Sequence, residues 1–111
     1  MKTVKFASDL APLILSGQKT ATWRFGDDKN IQVGDDLEFR DRTSGEVFGH
    51  AKVLAVREKK IKDITEADYD EGHEKYSGTE ELIRSFKGYY GEGISGDSII
   101  KLIKFAFDPI K

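Results

Sequence analysis

The sequence predicts an α+β fold, a small mixed β-barrel with flanking short helices. Three observations point there. Predicted strands outnumber predicted helices, the strands cluster into hairpins, and the last strand is apolar on both faces. A closed or nearly closed sheet with helices plugging its ends accommodates all three and leaves no exposed apolar edge.

Thr3 to Ala7 reads as the first short strand. Asp9 then reads as a helix N-cap, with Pro12 tolerated in the first turn. Leu10, Leu13 and Ile14 share one helical face, and Gly17 supplies the stop. Thr20 to Phe25 is β-branched and aromatic, the composition of a strand. Asp27 to Asn30 is a polar loop. Asp36 to Asp41 alternates, with Leu37 and Phe39 on one face and Glu38 and Arg40 on the other. The turn at Arg42 to Gly45 joins it to a long strand over Val47 to Arg57, a hairpin.

Helical sequence follows. Ile64, Thr65 and Glu66 suggest one short start, and Ser77 with Glu80 fits a capping box for the next. Leu82, Ile83, Phe86 and Tyr90 keep one apolar face through that helix. Ser98 to Phe107 is the closing strand; its two apolar faces place it in the middle of the sheet, and Pro109 ends it. The glycine-rich stretch from Gly88 to Gly96 is expected to be a loop within one domain, residues 1–111, because too little chain follows it to fold alone.

Composition narrows the function classes. Hydrophobic residues at 38% provide enough apolar surface for a core, which excludes a disordered tail. No apolar run approaches the roughly 18 residues that a spanning helix needs, so no membrane role is expected. The absence of cysteine excludes disulfides and thiol catalysis. Met1 to Ala7 lacks a signal-peptide core, which makes a cytoplasmic location the expectation. The net charge of −2 counts against tight nonspecific duplex binding, so any nucleic-acid affinity must come from a local cluster.

The densest polar cluster is Gly17-Gln18-Lys19-Thr20-Ala21-Thr22-Trp23-Arg24. Thr22 and Arg24, two apart on a strand, point to one face, and Lys19 can turn toward it. Cations beside a hydroxyl and an aromatic suit an anionic or planar polar ligand. The plainer alternative is a solvated strand edge with Trp23 in the core.

The run from Leu15 to Leu37, GQKTATWR followed by a polar loop and VGDDLEF, resembles the signature of ASCH domains, which are PUA-like barrels associated with RNA and modified nucleosides. The matching positions are Gly17, Lys19, Thr22, Arg24, Gly34 and Asp35. The resemblance continues more loosely through most of the chain and implies a PUA-like barrel with a cleft near this block. Many members carry Glu where this chain has Thr22. The Lys, Thr and Arg variant is similar to the bacterial N4-acetylcytidine amidohydrolases, which use a Lys, a Thr and a Glu from the later helical segment. Lys19 and Thr22 match the first two. Glu71 is the first match for the third, followed by Glu74 and then Asp70. A solvated acidic surface over Asp68 to Glu74 is the alternative. The resemblance therefore implies Lys19, Thr22 and Glu71 as catalytic residues, and Arg24, Trp23 and Thr20 as substrate-binding residues.

The chemistry is coherent. Amide hydrolysis needs a nucleophile, a base and a proton for the leaving amine. A Lys whose pKa is lowered by burial and by neighbouring Arg24 can take the threonine proton, a Glu can donate to the amine, and Arg24 suits the developing oxyanion. No metal or cofactor is expected, because His50 and His73 are isolated and lack metal-ligand spacing. No Gly-x-Ser-x-Gly elbow or phosphate-binding glycine motif occurs. Gly91, Gly93 and Gly96 read as a structural loop, with a flap bordering the cleft as the functional alternative. Tyr90 reads as packing helix against sheet, and Tyr89 is open to stacking. Three functions follow, in order: an enzyme acting on an acylated nucleoside, a non-catalytic module binding a modified nucleoside or single-stranded RNA in the same cleft, and, ranked below these, a regulatory partner-binding domain. A monomer is expected.

Overall fold

The computed structural model describes residues 1–26 and 29–109. Asp27 and Asp28, the start of the expected polar loop, lie outside the described residues. The elements run β1 (Lys2–Phe6), α1 (Ala11–Leu15), β2 (Ala21–Phe25), β3 (Asp36–Asp41), β4 (Val47–Lys60), a 3-10 turn (Ile61–Asp63), α2 (Glu66–Tyr69), α3 (Thr79–Tyr90) and β5 (Ile99–Pro109). The strands form one mixed five-stranded sheet in the order β1-β3-β4-β5-β2. β1 runs parallel to β3, and the remaining neighbours are antiparallel. The result is the α+β, PUA-like half-barrel that the sequence predicts.

The last strand decides the layering. Side chains alternate along a strand, so a strand apolar on both faces must be covered twice. Ile103 and Phe105 of β5 enter the interior cluster with Phe6, Leu37, Phe39 and Val53. Ile100 and Leu102 face the other way, into a second cluster with Trp23, Tyr69, Leu82 and Phe86. The first cluster fills the curl of the sheet, and α2 and α3 cover the second. β5 therefore sits inside the sheet, between β4 and β2. The register shift between Val53 and Ala55 in β4 marks a bulge, which bends the long hairpin partner and raises its twist.

Several boundaries differ from expectation. Helix α1 starts at Ala11 with Leu10 at its N-cap, so Asp9 is not the cap. Residues Ala7 to Leu10 already form a turn closed by Leu10 N–H donating to Ala7 O. β4 runs three residues past Arg57, because β5 continues to pair with it as far as Lys60 opposite Ile99. The capping pair at α3 is Ser77 with Glu81, not Glu80. Gly78 is the N-cap there, so the third helical position falls on Glu81. Of the glycine-rich stretch, Gly88 to Tyr90 belong to α3 rather than to a loop, and the remainder, Gly91 to Gly96, does not line the cleft. Buried Ile94 anchors it in the second cluster, and Gly96 O accepts from Lys62 N–H at 3.0 Å.

Two local devices hold the segment after β4 in place. Thr65 and Asp68 form a capping box at α2, and Asp68 is 2% exposed. Its Oδ2 accepts from Lys59 Nζ at 2.8 Å and Thr65 N–H at 2.8 Å, and its Oδ1 from Arg57 at 2.9 Å. Past α2, Gly72 turns the chain with φ +112° and docks on the start of β2. Gly72 O accepts from Thr20 N–H at 2.8 Å and Ala21 N–H at 3.2 Å. The approach is so close that a Cβ on Gly72 would run into Thr20 Oγ1.

Two stability predictions follow from these contacts. Burial alone would raise the Asp68 carboxyl pKa, but the bonds from Lys59, Thr65 and Arg57 outweigh it and lower it from 3.8 to about 2. The folded value lies below the unfolded one, so this contribution is present above about pH 4 and is lost as pH falls toward 2. Asp68→Asn should cost about 2–3 kcal/mol in urea unfolding at pH 7 and flatten that acid dependence. Gly72→Ala should cost about 2 kcal/mol or more, through both strain and collision. Gly45→Ala, also at positive φ but facing open space, should cost about 1 kcal/mol. Equal losses at the two glycines would rule out the close approach at Thr20.

Candidate functional site

β2 is an edge strand, and its alternation sorts the polar cluster. Thr22 pairs in register with Ile103 and shares its inward face, while Trp23 pairs with Leu102 and turns to the helix-covered face. Arg24 returns to the face of Thr22, and its Nε donates to Thr22 Oγ1 at 3.2 Å. The same guanidinium donates to Lys5 O at 3.1 Å and lies 4.9 Å from the Phe6 ring centre. Lys19 arrives from the other side. Gly17 reverses the chain after α1 at φ +83°, and Lys19 N–H donates to Leu13 O at 3.0 Å. Its side chain enters the interior and is 2% exposed.

A buried ammonium needs an anion, and Glu74 provides it. Lys19 Nζ donates to Glu74 Oε1 at 2.7 Å. The same oxygen lies 2.8 Å from His73 Nε2. Glu74 Oε2 is buried and has no hydrogen-bond partner among the described residues. His73 stacks on Trp23 with ring centres 3.9 Å apart and planes 18° apart. Its Nδ1 lies 2.8 Å from Glu74 O. Both ring nitrogens thus face oxygen acceptors, and only the imidazolium could donate to both.

These groups surround a cavity of about 180 Å³, lined by Lys19, Thr22, Trp23, Arg24, His73 and Glu74, with Tyr76, Tyr89 and Tyr90 at its helical side. Because β2 lies at the sheet edge, residues from both of its faces reach this space. Burial pushes the Lys19 pKa down and outweighs the opposing pull of Glu74, with Arg24 adding to the lowering. Burial alone would raise Glu74, but His73 and Lys19 hold it near 2. Burial lowers His73 against the bond from Glu74, and the Lys19 charge pushes it the same way as burial. The site therefore pairs an ionised carboxylate with a buried lysine whose pKa lies below its ordinary value.

The expected residues divide as follows. Lys19, Thr22, Arg24 and Trp23 line the cavity. Thr20 does not; its hydroxyl donates to Glu71 O at 3.1 Å, on the side of the Gly72 turn. Glu71 is also elsewhere. Its carboxylate accepts from Arg57 at 2.7 Å and is 46% exposed. Asp70 is exposed too, 3.4 Å from Lys75. Glu74 is the one of the three that meets Lys19, because the Gly72 turn swings the chain back by three further residues. Sequence reading missed His73 and Tyr76. The available signal was the run His73-Glu74-Lys75-Tyr76, where an imidazole adjoins a candidate carboxylate and an aromatic follows. Tyr90 packs on Phe25 and Phe86 with ring centres 5.7 and 5.6 Å away, as expected, and also lines the cavity. Among the described residues no group of three or more acidic or histidine side chains could hold a metal ion. No described helix is long and apolar enough to cross a membrane.

No family model matches the sequence, and no curated protein matches it significantly. Solved structures do match. The DUF984 protein EF3133 of Enterococcus faecalis V583 superimposes with a TM-score of 0.77 at 20% identity, over 100% of this chain and 82% of that one. The ASCH domain of Lactobacillus crispatus JV V101 gives 0.73 at 16% identity, over 98% and 80%. The ASCH protein of Zymomonas mobilis gives 0.70 at 15% identity, over 98% and 69%. With its PUA-like half-barrel and the cavity at the β2 edge, the chain has the fold of the ASCH domains.

Proposed function

We propose that the protein is an amidohydrolase acting on an acylated nucleoside, with N4-acetylcytidine as the candidate substrate and Lys19, Thr22 and Glu74 as its catalytic groups. The observation that carries this reading is Glu74 Oε2, a buried carboxylate oxygen without a donor among the described residues, in a pocket shared with a buried lysine and a hydroxyl. An orphaned buried acceptor is costly and calls for a donor from a ligand. The N4–H of an N-acylated cytosine is such a donor, and the surrounding aromatic side chains suit a planar base.

In this reading neutral Lys19 removes the Thr22 hydroxyl proton as the oxygen attacks the acetyl carbonyl. Arg24, already bonded to Thr22 Oγ1, supports the developing oxyanion. The C–N4 bond then breaks, the Lys19 ammonium returns its proton to N4, and cytidine leaves. Water then attacks the acetyl-threonine ester as Lys19 takes its proton, the acyl C–Oγ1 bond breaks, Lys19 returns that proton to Thr22 Oγ1, and the acid leaves and ionises to acetate in solvent. Glu74 does not donate the amine proton, since it is held ionised. It stabilises the ammonium form of Lys19 and orients the amide. The competing reading is a binding module using the same cleft, and the engagement of Lys19 by Glu74 at 2.7 Å favours it, since a structural ion pair needs no chemistry.

Chromatography of cytidine and acetate after incubation with N4-acetylcytidine separates the two. Turnover is expected. Lys19→Arg should reduce kcat/KM at least about a hundredfold, because guanidinium cannot surrender a proton in this range. Thr22→Val should do the same while sparing substrate binding. Because Lys19 must be neutral, kcat/KM should rise with pH through an inflection below 10.5. Full activity in either variant would overturn the mechanism, and no turnover at high protein concentration would favour the binder.

A further inference from the structure

A second cavity adjoins the Lys19 pocket and has a different character. It measures about 350 Å³, and its walls include Lys5, Arg24, Lys29 and Arg42, with Phe25 and Tyr90 as apolar surface. No carboxylate is among the described residues that line it, whereas Glu74 and Asp9 both line the Lys19 pocket. Lys5, Arg24, Arg42 and Tyr90 line both spaces, so the two are continuous around these side chains.

Asp27 and Asp28 lie outside the described residues, and the sequence places them between Gly26 and Lys29. The weight therefore falls on Lys5 and Arg42, which come from other elements. Lys5 is on β1, and Arg42 follows β3, tied there by its N–H donating to Phe6 O at 2.8 Å. Several other cations are matched: Lys2 with Asp35, Arg40 with Glu38, Lys52 with Asp36, Lys59 with Asp68 and Lys62 with Asp97. Among the described residues neither Lys5 nor Arg42 is in an ion pair. The Arg42 guanidinium is instead steadied over the Tyr89 ring, 5.4 Å from its centre. Two unmatched cations on a concave wall focus positive potential into it.

We propose that this second cavity is a phosphate subsite of the same site, so that the substrate is a phosphorylated N4-acylcytidine, a nucleoside monophosphate. The proposal rests on the amidohydrolase reading of the Lys19 pocket. The base occupies that pocket, and Lys5 and Arg42 hold the phosphate on the ribose in the cavity beside it. A single phosphate fits better than a long strand. A strand needs a run of unmatched cations with stacking platforms, and the protein as a whole carries a charge of −2.

The test compares kcat/KM for N4-acetylcytidine, its 5′- and 3′-monophosphates, and a trinucleotide carrying the base internally. One monophosphate should exceed the nucleoside by about tenfold or more at low salt. The advantage should shrink as salt is added. Lys5→Gln with Arg42→Gln should return the ratio to about one, while Lys52→Gln, which lines neither cavity, should leave it intact. Equal values for nucleoside and both monophosphates would overturn the proposal, as would a trinucleotide preferred over both. If no acetylated compound turns over, the amidohydrolase reading fails separately. Calorimetry of cytidine against its monophosphates then decides the subsite: tighter binding of a monophosphate, abolished in the double variant, supports it, and equal affinity removes it.

Discussion

Everything in this molecule depends on β5 being apolar on both faces. A strand of that kind is stable only with a packed layer on each side, so the chain must supply two cores. The curl of the sheet gives one, around Phe39 and Phe105, and the helices give the other, around Leu82 and Phe86. β2 is laid against β5 as an edge strand, one neighbour short of a full ladder. That edge is where residues from both layers come within reach of each other, and it is where the polar side chains collect.

Electrostatics then sets what the edge can do. A lysine at 2% exposure forfeits its hydration and keeps its charge only through Glu74. Glu74 in turn is held ionised by Lys19 and His73, both on a single oxygen. The arrangement concentrates two donors on Oε1 and leaves Oε2 empty-handed. A purely structural ion pair would gain by dividing its donors between the two oxygens. Concentrating them leaves the second oxygen of a cavity-lining carboxylate without a donor among the described residues.

Much of this was legible in the sequence, for physical reasons. Period-two alternation exposed β3 and β4, and the unbroken apolar run exposed the central position of β5. The spacing of Thr22 and Arg24 announced a shared face. What was not legible came from turns. Which of Asp70, Glu71 and Glu74 meets Lys19 depends on how Gly72 redirects the chain after α2, and φ at a glycine is not written in composition. Thr20 lies outside the cavity lining for the same reason, since its hydroxyl donates to the turn at Glu71 O. The caps slipped by a residue at α1 and α3 because Leu10 and Gly78, neither with a capping side chain, took the cap positions.

Arg24 joins the two ends of the sheet. The strand order leaves β1 and β2 as opposite edges, and the Arg24 guanidinium spans them by bonding the β1 carbonyl of Lys5 while resting on Phe6. The seam of the half-barrel is thus fastened by a side chain rather than by a ladder of peptide groups. The residue that lines both cavities is thus also the one that bridges the two sheet edges, so the shape of the cleft and the closure of the seam rest on one side chain.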